Sequence, residues 1–171
     1  MTSSEHSDHS GTRIAAQIVD VVLLAPASPG ASSPWQVLTL RRAAGVRCTG
    51  AWEIVHGSIE AGERPAEAAR REIREETGFV AERLYSLTVN PFYLPMRDTV
   101  QLAVVFAAIV PAATAPQLAE EHDEWAWRTP EEALTTLAWP REHQAVQYAL
   151  HLLRTGDAGP VEDVLRIPDP R

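Results

Sequence analysis

Three glutamates, Glu72, Glu75 and Glu76, stand at positions i, i+3 and i+4 of the segment Pro65–Thr77. At about 100° per residue, a helix gathers them within an arc of about 100°, on one face. Glu72 and Glu76 are then like charges one turn apart, which costs roughly a few tenths of a kcal/mol in water and more when partly buried. A hard divalent cation such as Mg²⁺ or Mn²⁺ removes that penalty, because it takes carboxylate oxygens and keeps some of its waters. The same cluster is also what a solvated acidic face looks like, with Arg70, Arg71 and Arg74 interleaved as ion-pair partners. The preceding loop favours the metal. His56-Gly57-Ser58 ends a strand, Gly62 follows, and Glu63 sits just before the helix. Glycines let the backbone approach a ligand closely, and a carbonyl exposed there can join a metal shell.

The elements that must position these groups follow from periodicity and punctuation. Residues 1–12 read as a disordered tail, and Ile14 to Leu24 as a buried strand rich in Ile and Val. Trp35 to Leu40 reads as a second strand and Ala51 to Val55 as a short third. The helix runs from Pro65 to Thr77, with proline preset for its first turn, Ala66, Ala69 and Ile73 on its docking side, and Gly78 as the stop. Strands Arg83 to Asn90 and Thr99 to Val110 follow, joined by the connection NPFYLPMRD. A short strand, Glu124 to Arg128, leads to two helices, Glu131 to Leu137 and Arg141 to Arg154. The folded domain spans residues 13–155. The stretch from Thr155, with three prolines and two glycines, has no helical pattern, so residues 156–171 read as a C-terminal tail. This order predicts one α/β domain: a mixed sheet sandwiched between helices.

Composition sets further bounds. All fifteen cations are arginines, which excludes a Schiff-base lysine or a P-loop lysine. A net charge of −8 with no basic stripe argues against duplex nucleic acid as a partner. The lone Cys48 cannot form an internal disulfide, and the polar start lacks an apolar core for a signal peptide, so a cytoplasmic setting is expected. No apolar run reaches the ~18 residues that span a bilayer, so no membrane partner is expected. His6 and His9, in a Ser-rich tail, are not expected to hold a metal.

Gly57, Glu63, Arg71, Glu72, Ile73, Glu75, Glu76 and Gly78, at these spacings, resemble the complete Nudix box. The resemblance implies the Nudix fold and attack of a metal-activated water on phosphorus in a small nucleotide-like diphosphate compound. It implies Glu72, Glu75, Glu76 and the His56 carbonyl as ligands of Mg²⁺ or Mn²⁺. Many members have a glycine at the His56 position, where only a backbone oxygen is needed. Arg71 would orient the glutamates, and Glu63 would cap the helix and steady the loop together with Gly57. Ahead of the box, Leu40-Arg41-Arg42-Ala43-Ala44 resembles a strand end whose second arginine, Arg42, touches substrate phosphate; a plain surface arginine is the alternative.

The segment EHDEWAW with Trp139-Pro140 resembles the dATP and dihydroneopterin triphosphate pyrophosphatase branch. That likeness gives Glu121 as a further ligand or the catalytic base, in preference to Glu120 and Glu124. Trp125 and Trp127 read as core. Phe92 and Tyr93 could stack on a base or pterin, or could pack at a strand end. The expected reaction releases a monophosphate and pyrophosphate from a nucleoside or pteridine triphosphate. Cleavage of ADP-ribose, ADP-sugars or dinucleoside polyphosphates is the alternative, and a non-catalytic nucleotide-sensing module is a distant one. Pro95, sixteen residues past Phe79, matches an ADP-ribose signature only weakly. An isomerase with a reactive cysteine would need Cys48 to face the site. Oligomeric state stays open, with a homodimer one expectation.

Overall fold

The computed structural model describes residues 11–169. The first ten residues of the expected N-terminal tail, including His6 and His9, lie outside the described residues.

Alternation along the longest apolar run decides the architecture. In β1 (Arg13–Pro26), Val19, Val21, Leu23 and Ala25 enter one core, while Val22 and Leu24 enter another. A strand buried on both faces must lie inside a sheet with a layer on each side. Its neighbours are β2 (Trp35–Arg42), antiparallel, and β6 (Thr99–Ile109), parallel over almost the whole strand. Around them β3 (Trp52–Glu53) pairs with β2, β4 (Val55–Ser58) with β1, β5 (Arg83–Leu94) with β6, and β7 (His122–Arg128) with β2. Helix α1 (Pro65–Thr77) covers one face with Ala68, Ala69 and Ile73. Helices α2 (Pro130–Thr136) and α3 (Pro140–Leu152) cover the other with Ala133, Ala145, Val146 and Ala149. The result is the expected mixed sheet between helices.

Three segments differ from expectation. The stretch read as one strand at Ala51 to Val55 splits in two, because β3 and β4 have different partners, β2 and β1. The connection after Asn90 stays extended: β5 pairs with β6 out to Leu94↔Thr99 and turns only at Pro95–Arg97. Pro91 lacks a donor, but β5's outer neighbour, β8 (Arg166–Ile167), pairs only at Leu84 and Tyr85, so no bond on that side is lost. The stretch after Thr155, expected without regular structure, instead forms a short helix, α4 (Glu162–Leu165), and then β8. Its ties are Arg83 Nη1 to the Gly156 carbonyl at 2.8 Å and the Tyr85 hydroxyl to Glu162 Oε1 at 3.0 Å. Sequence periodicity cannot show a two-residue strand whose only template is the open edge of β5.

Candidate metal centre and substrate cleft

Helix α1 meets β4 where both are most constrained. A Cβ built on Gly57 would overlap the Glu72 side chain at Cγ, Cδ and Oε1, so only glycine lets the carboxylate lie on the loop backbone. Arg71 organises the rest. Its Nε and Nη2 both reach Glu63 at 3.0 Å, Nη2 also donates to the Ser58 carbonyl at 2.7 Å, and Nη1 reaches Glu72 at 2.8 Å and Glu75 at 3.0 Å. Glu63 does not cap the helix. That position is Arg64, whose amide bonds to Glu67 at 2.9 Å, while Glu63 accepts the Glu60 amide at 3.0 Å and ties the loop to Arg71. The Arg71 bonds hold the Glu63 carboxyl below its usual range.

Glu76 is the group left over. It is 5% exposed, its Oε1 accepts the His56 amide at 3.3 Å, and its Oε2 has no partner among the described residues. Burial pushes its carboxyl well above the usual range, and the charges of Glu72 and Glu53 push the same way. Glu72 is also raised, by burial first, with Arg71 opposing. Glu63, Glu72 and Glu75 thus share one arginine, while Glu76, the most buried carboxylate of the wall, is off Arg71 and has an unpartnered oxygen, which fits an oxygen-seeking divalent cation. Among the described residues no three acidic, imidazole or thiol groups already converge as a cation cage. Arg71 holds Glu72 and Glu75 toward itself, with 58% of the Glu75 side chain exposed.

A cleft of about 1040 Å³ opens over this wall. Glu72, Glu75, Glu76, Gly57, His56 and Glu121 line it. Glu120 and Glu124 are not among its lining residues; Glu124 pairs with Arg41 at 2.8 Å. Glu121 is held through its backbone, whose carbonyl accepts the Ala43 amide at 2.8 Å, and through its neighbour His122, which meets Glu53 at 3.1 Å. Arg42 lines the cleft with Nη1 on Glu53 Oε1 and Nε on the Arg47 carbonyl, both at 2.6 Å. It is therefore a fixed cation, not a swinging surface arginine. Tyr93 stands at the rim, 53% exposed, with its hydroxyl on Asp98 at 2.9 Å. Phe92 also lines the cleft, but the Arg141 guanidinium lies 4.8 Å from its ring centre. Trp125 and Trp127, partly buried, pack against the core on the α1 face and do not line the cleft. Cys48 is exposed at the cleft edge.

Three buried acids escaped the sequence reading: Glu53, the cleft residue that clamps Arg42, and Asp20 and Glu142. Asp20, 0% exposed, faces α3 and binds His56 Nδ1 at 2.6 Å and Arg141 Nε at 2.9 Å. Burial opposes its charge, yet the His56 bond and the charges of His56 and Arg141 hold its carboxyl below the usual range. Glu142, also 0% exposed, has no hydrogen-bond partner of normal geometry for either oxygen among the described residues, and burial pushes it well above the usual range. An acid inside the apolar run Ile18 to Leu24 was the available signal for Asp20.

Residues 17–149 match the NUDIX domain family. The chain belongs to the NUDIX family. An octanoyltransferase of Myxococcus xanthus is 34% identical over 102 residues, covering 58% of this chain and 29% of its own length. An RNA pyrophosphohydrolase of Cereibacter sphaeroides is 56% identical over 41 residues, 24% of this chain and 25% of its own. The chain thus matches less than a third of the length of either curated relative.

Solved NUDIX structures share the fold more fully. The dihydroneopterin triphosphate pyrophosphohydrolase of E. coli superposes with a TM-score of 0.60 at 22% identity, covering 78% of this chain and 95% of its own. The C. elegans Ap4A hydrolase gives 0.64 at 19%, covering 81% and 98%. The NUDIX domain of Shewanella oneidensis NrtR, solved with ADP ribose, gives 0.66 at 18%, covering 84% and 89%. These proteins are named for, or bound to, three different nucleotide-like compounds, so the fold alone does not choose among substrates. NUDIX hydrolases generally use divalent metal ions, and the carboxylate wall fits one. No helix of the described residues is long and apolar enough to cross a membrane.

Proposed function

We propose that this chain is a metal-dependent NUDIX hydrolase that cleaves a diphosphate linkage of a nucleoside or pteridine triphosphate, releasing a monophosphate and pyrophosphate. The observation that carries the reading is Glu76: a buried carboxylate with an unpartnered oxygen, beside Glu72 and above a glycine that only Glu72 requires. Glu72, Glu75, Glu76 and the His56 carbonyl would hold the cation, with Mg²⁺ the first choice and Mn²⁺ the second. When bound, it would neutralise diphosphate charge and make water a nucleophile near neutral pH.

The chain's own groups supply the rest. Arg71 holds Glu72 and Glu75 at the lip of the wall, and its grip on Glu63 and on the Ser58 carbonyl fixes the loop. Glu121, exposed on the cleft and without side-chain bonds to basic groups among the described residues, is the proposed acceptor of a proton from the attacking water. Arg42, clamped by Glu53, offers its remaining guanidinium nitrogen to a phosphate. Tyr93 at the rim is the proposed contact for the ring system. A triphosphate is supported by the EHDEWAW segment and by three arginines around the cleft: Arg42, Arg47 and Arg97. The setting is proposed to be cytoplasmic, in keeping with one free, exposed cysteine.

A panel of nucleoside and pteridine triphosphates, ADP-ribose and dinucleoside polyphosphates, run in ¹⁸O-labelled water, tests the reading. The expected result is triphosphate cleavage between the first and second phosphates. Selective cleavage of ADP-ribose, with triphosphates untouched, would replace the triphosphate assignment and leave the reaction class standing.

A further inference from the structure

At position 56 a backbone oxygen is all that the proposed metal centre takes, yet the side chain there has partners of its own. Strands β1 and β4 set Asp20 directly opposite His56. The two side chains lie on the α3 face of the sheet, where Asp20 Oδ1 and His56 Nδ1 are 2.6 Å apart. The other oxygen of Asp20 accepts Arg141 Nε at 2.9 Å, and Arg141 Nη2 lies 3.4 Å from His56 Nδ1. Arg141 is fixed in turn: its guanidinium sits 4.8 Å from the ring centre of Phe92 and 5.5 Å from that of Trp139. Its Nε is committed to Asp20, so the edge that a phosphate would grip is already in use.

The other end of His56 points to the carboxylate wall. Its amide donates to Glu76 Oε1, the sole bond that the Glu76 carboxylate makes among the described residues. A shift of the residue-56 peptide therefore moves both the carbonyl proposed as a ligand and the orientation of Glu76. A buried ion pair is weak support for stability, since an apolar trio of similar volume serves packing as well. What Asp20, His56 and Arg141 add is direction. Asp20 is locked between two partners on different elements, and His56 is locked to Asp20.

We propose that Asp20, itself held by Arg141, grips the His56 imidazole as a brace that positions the residue-56 backbone, and through it Glu76, for cation binding. The inference rests on the metal-site reading above. It makes His56, Asp20 and Arg141 positioning residues, and it gives the departure from glycine at position 56 a use.

Direct Mn²⁺ binding, followed by the electron paramagnetic resonance of free Mn²⁺, separates the two claims. Glu72→Gln tests the site: it should lose Mn²⁺ binding, and wild-type binding by this variant would overturn both the site and the brace. His56→Ala tests the brace and should weaken Mn²⁺ binding about 10- to 100-fold, the usual loss when a group that orients a ligand is removed. His56→Asn, whose amide nitrogen falls near the imidazole Nδ1, should recover most of that loss, which a mere change of packing would not produce. Arg141→Met removes the far end of the brace and should weaken Mn²⁺ several-fold, although Arg141 touches none of the proposed ligating carboxylates. If Glu72→Gln loses the metal while His56→Ala and Arg141→Met bind it as the wild type does, the brace is wrong.

Discussion

Two buried carboxylates on opposite faces of one sheet respond to burial in opposite ways. On the α3 side, Asp20 has His56 and Arg141 within hydrogen-bond reach, and its carboxyl is held low despite complete burial. On the α1 side, Glu76 has one long backbone bond, three acidic neighbours (Glu72, Glu53 and Glu121) and no basic partner among the described residues, and burial drives its carboxyl high. The sheet is the same and the degree of burial is nearly the same. What differs is whether the protein supplies the countercharge. The Asp20 cluster has its countercharges and serves as a support; Glu142 on the same side has no hydrogen-bond partner among the described residues, but it does not line the cleft. The α1 wall lines the cleft with an excess of negative charge that folding alone leaves uncompensated, and this is the expected signature of a place reserved for a cation.

Substitutions that erase this asymmetry should act in proportion to how far they change the charge balance. Glu76→Gln and Glu75→Gln should lower turnover by about 10²-fold or more while circular dichroism stays native, since each removes a charged oxygen from the cation wall. Near-normal rates at saturating Mg²⁺ would dissolve the distinction between the walls. Glu121→Gln should slow the chemical step by at least ~10²-fold if it removes the base, and more than Glu120→Gln or Glu124→Gln, which lie off the cleft. A three-variant comparison at saturating substrate decides this, and greater damage from Glu124→Gln would shift the register of the loop.

Gly57→Ala should act on the same wall by crowding. Its Cβ overlaps Glu72, so we expect weaker Mg²⁺ binding and an overpacking penalty of about 1–3 kcal/mol. In a chain of this size that is a fall in melting temperature of about 2–4 °C per kcal/mol. The smallest effect is expected at Glu142, on the opposite side. Its carboxyl is raised by burial, so the folded state keeps its proton longer than the unfolded chain does. Stability should therefore fall as pH rises above the ordinary glutamate range through the folded-state value. Glu142→Gln should raise the melting temperature at about pH 8 and matter little at about pH 4. An equal gain at both would show that proton loss is not the cause.

The two walls also differed in how far they could be read in advance. The α1 wall is local: Glu72, Glu75 and Glu76 lie within two helical turns, and Gly57 and Glu63 lie in the loop just ahead, so spacing alone puts them together. Helix α1 runs from Pro65 to Thr77, where its proline and glycine punctuation placed it. The α3 wall is assembled from β1, β4 and α3, with Asp20 and Arg141 separated by 121 residues. No spacing rule reaches across that distance. The acid in an apolar strand was visible, but its partners depend on which face of the sheet α3 covers. The same limit hid β8, which exists only because β5 offers an edge, and it hid the commitment of Arg42 to Glu53. Glu63 was misplaced for a smaller reason: the helix begins one residue later than a cap at 63 requires, so Glu67 takes that duty.

The uncompensated α1 wall can be tested most directly by thermal unfolding of the wild type and of Glu76→Gln, each in EDTA and in saturating Mg²⁺. Without metal, Glu76→Gln should melt higher than the wild type, because it removes a buried charge that has no partner. With Mg²⁺ at about 100 times its Kd, the wild type should gain about 2.7 kcal/mol and rise accordingly, while the variant should barely respond. Equal gains in both proteins, together with a lower melting temperature for Glu76→Gln in EDTA, would contradict the account.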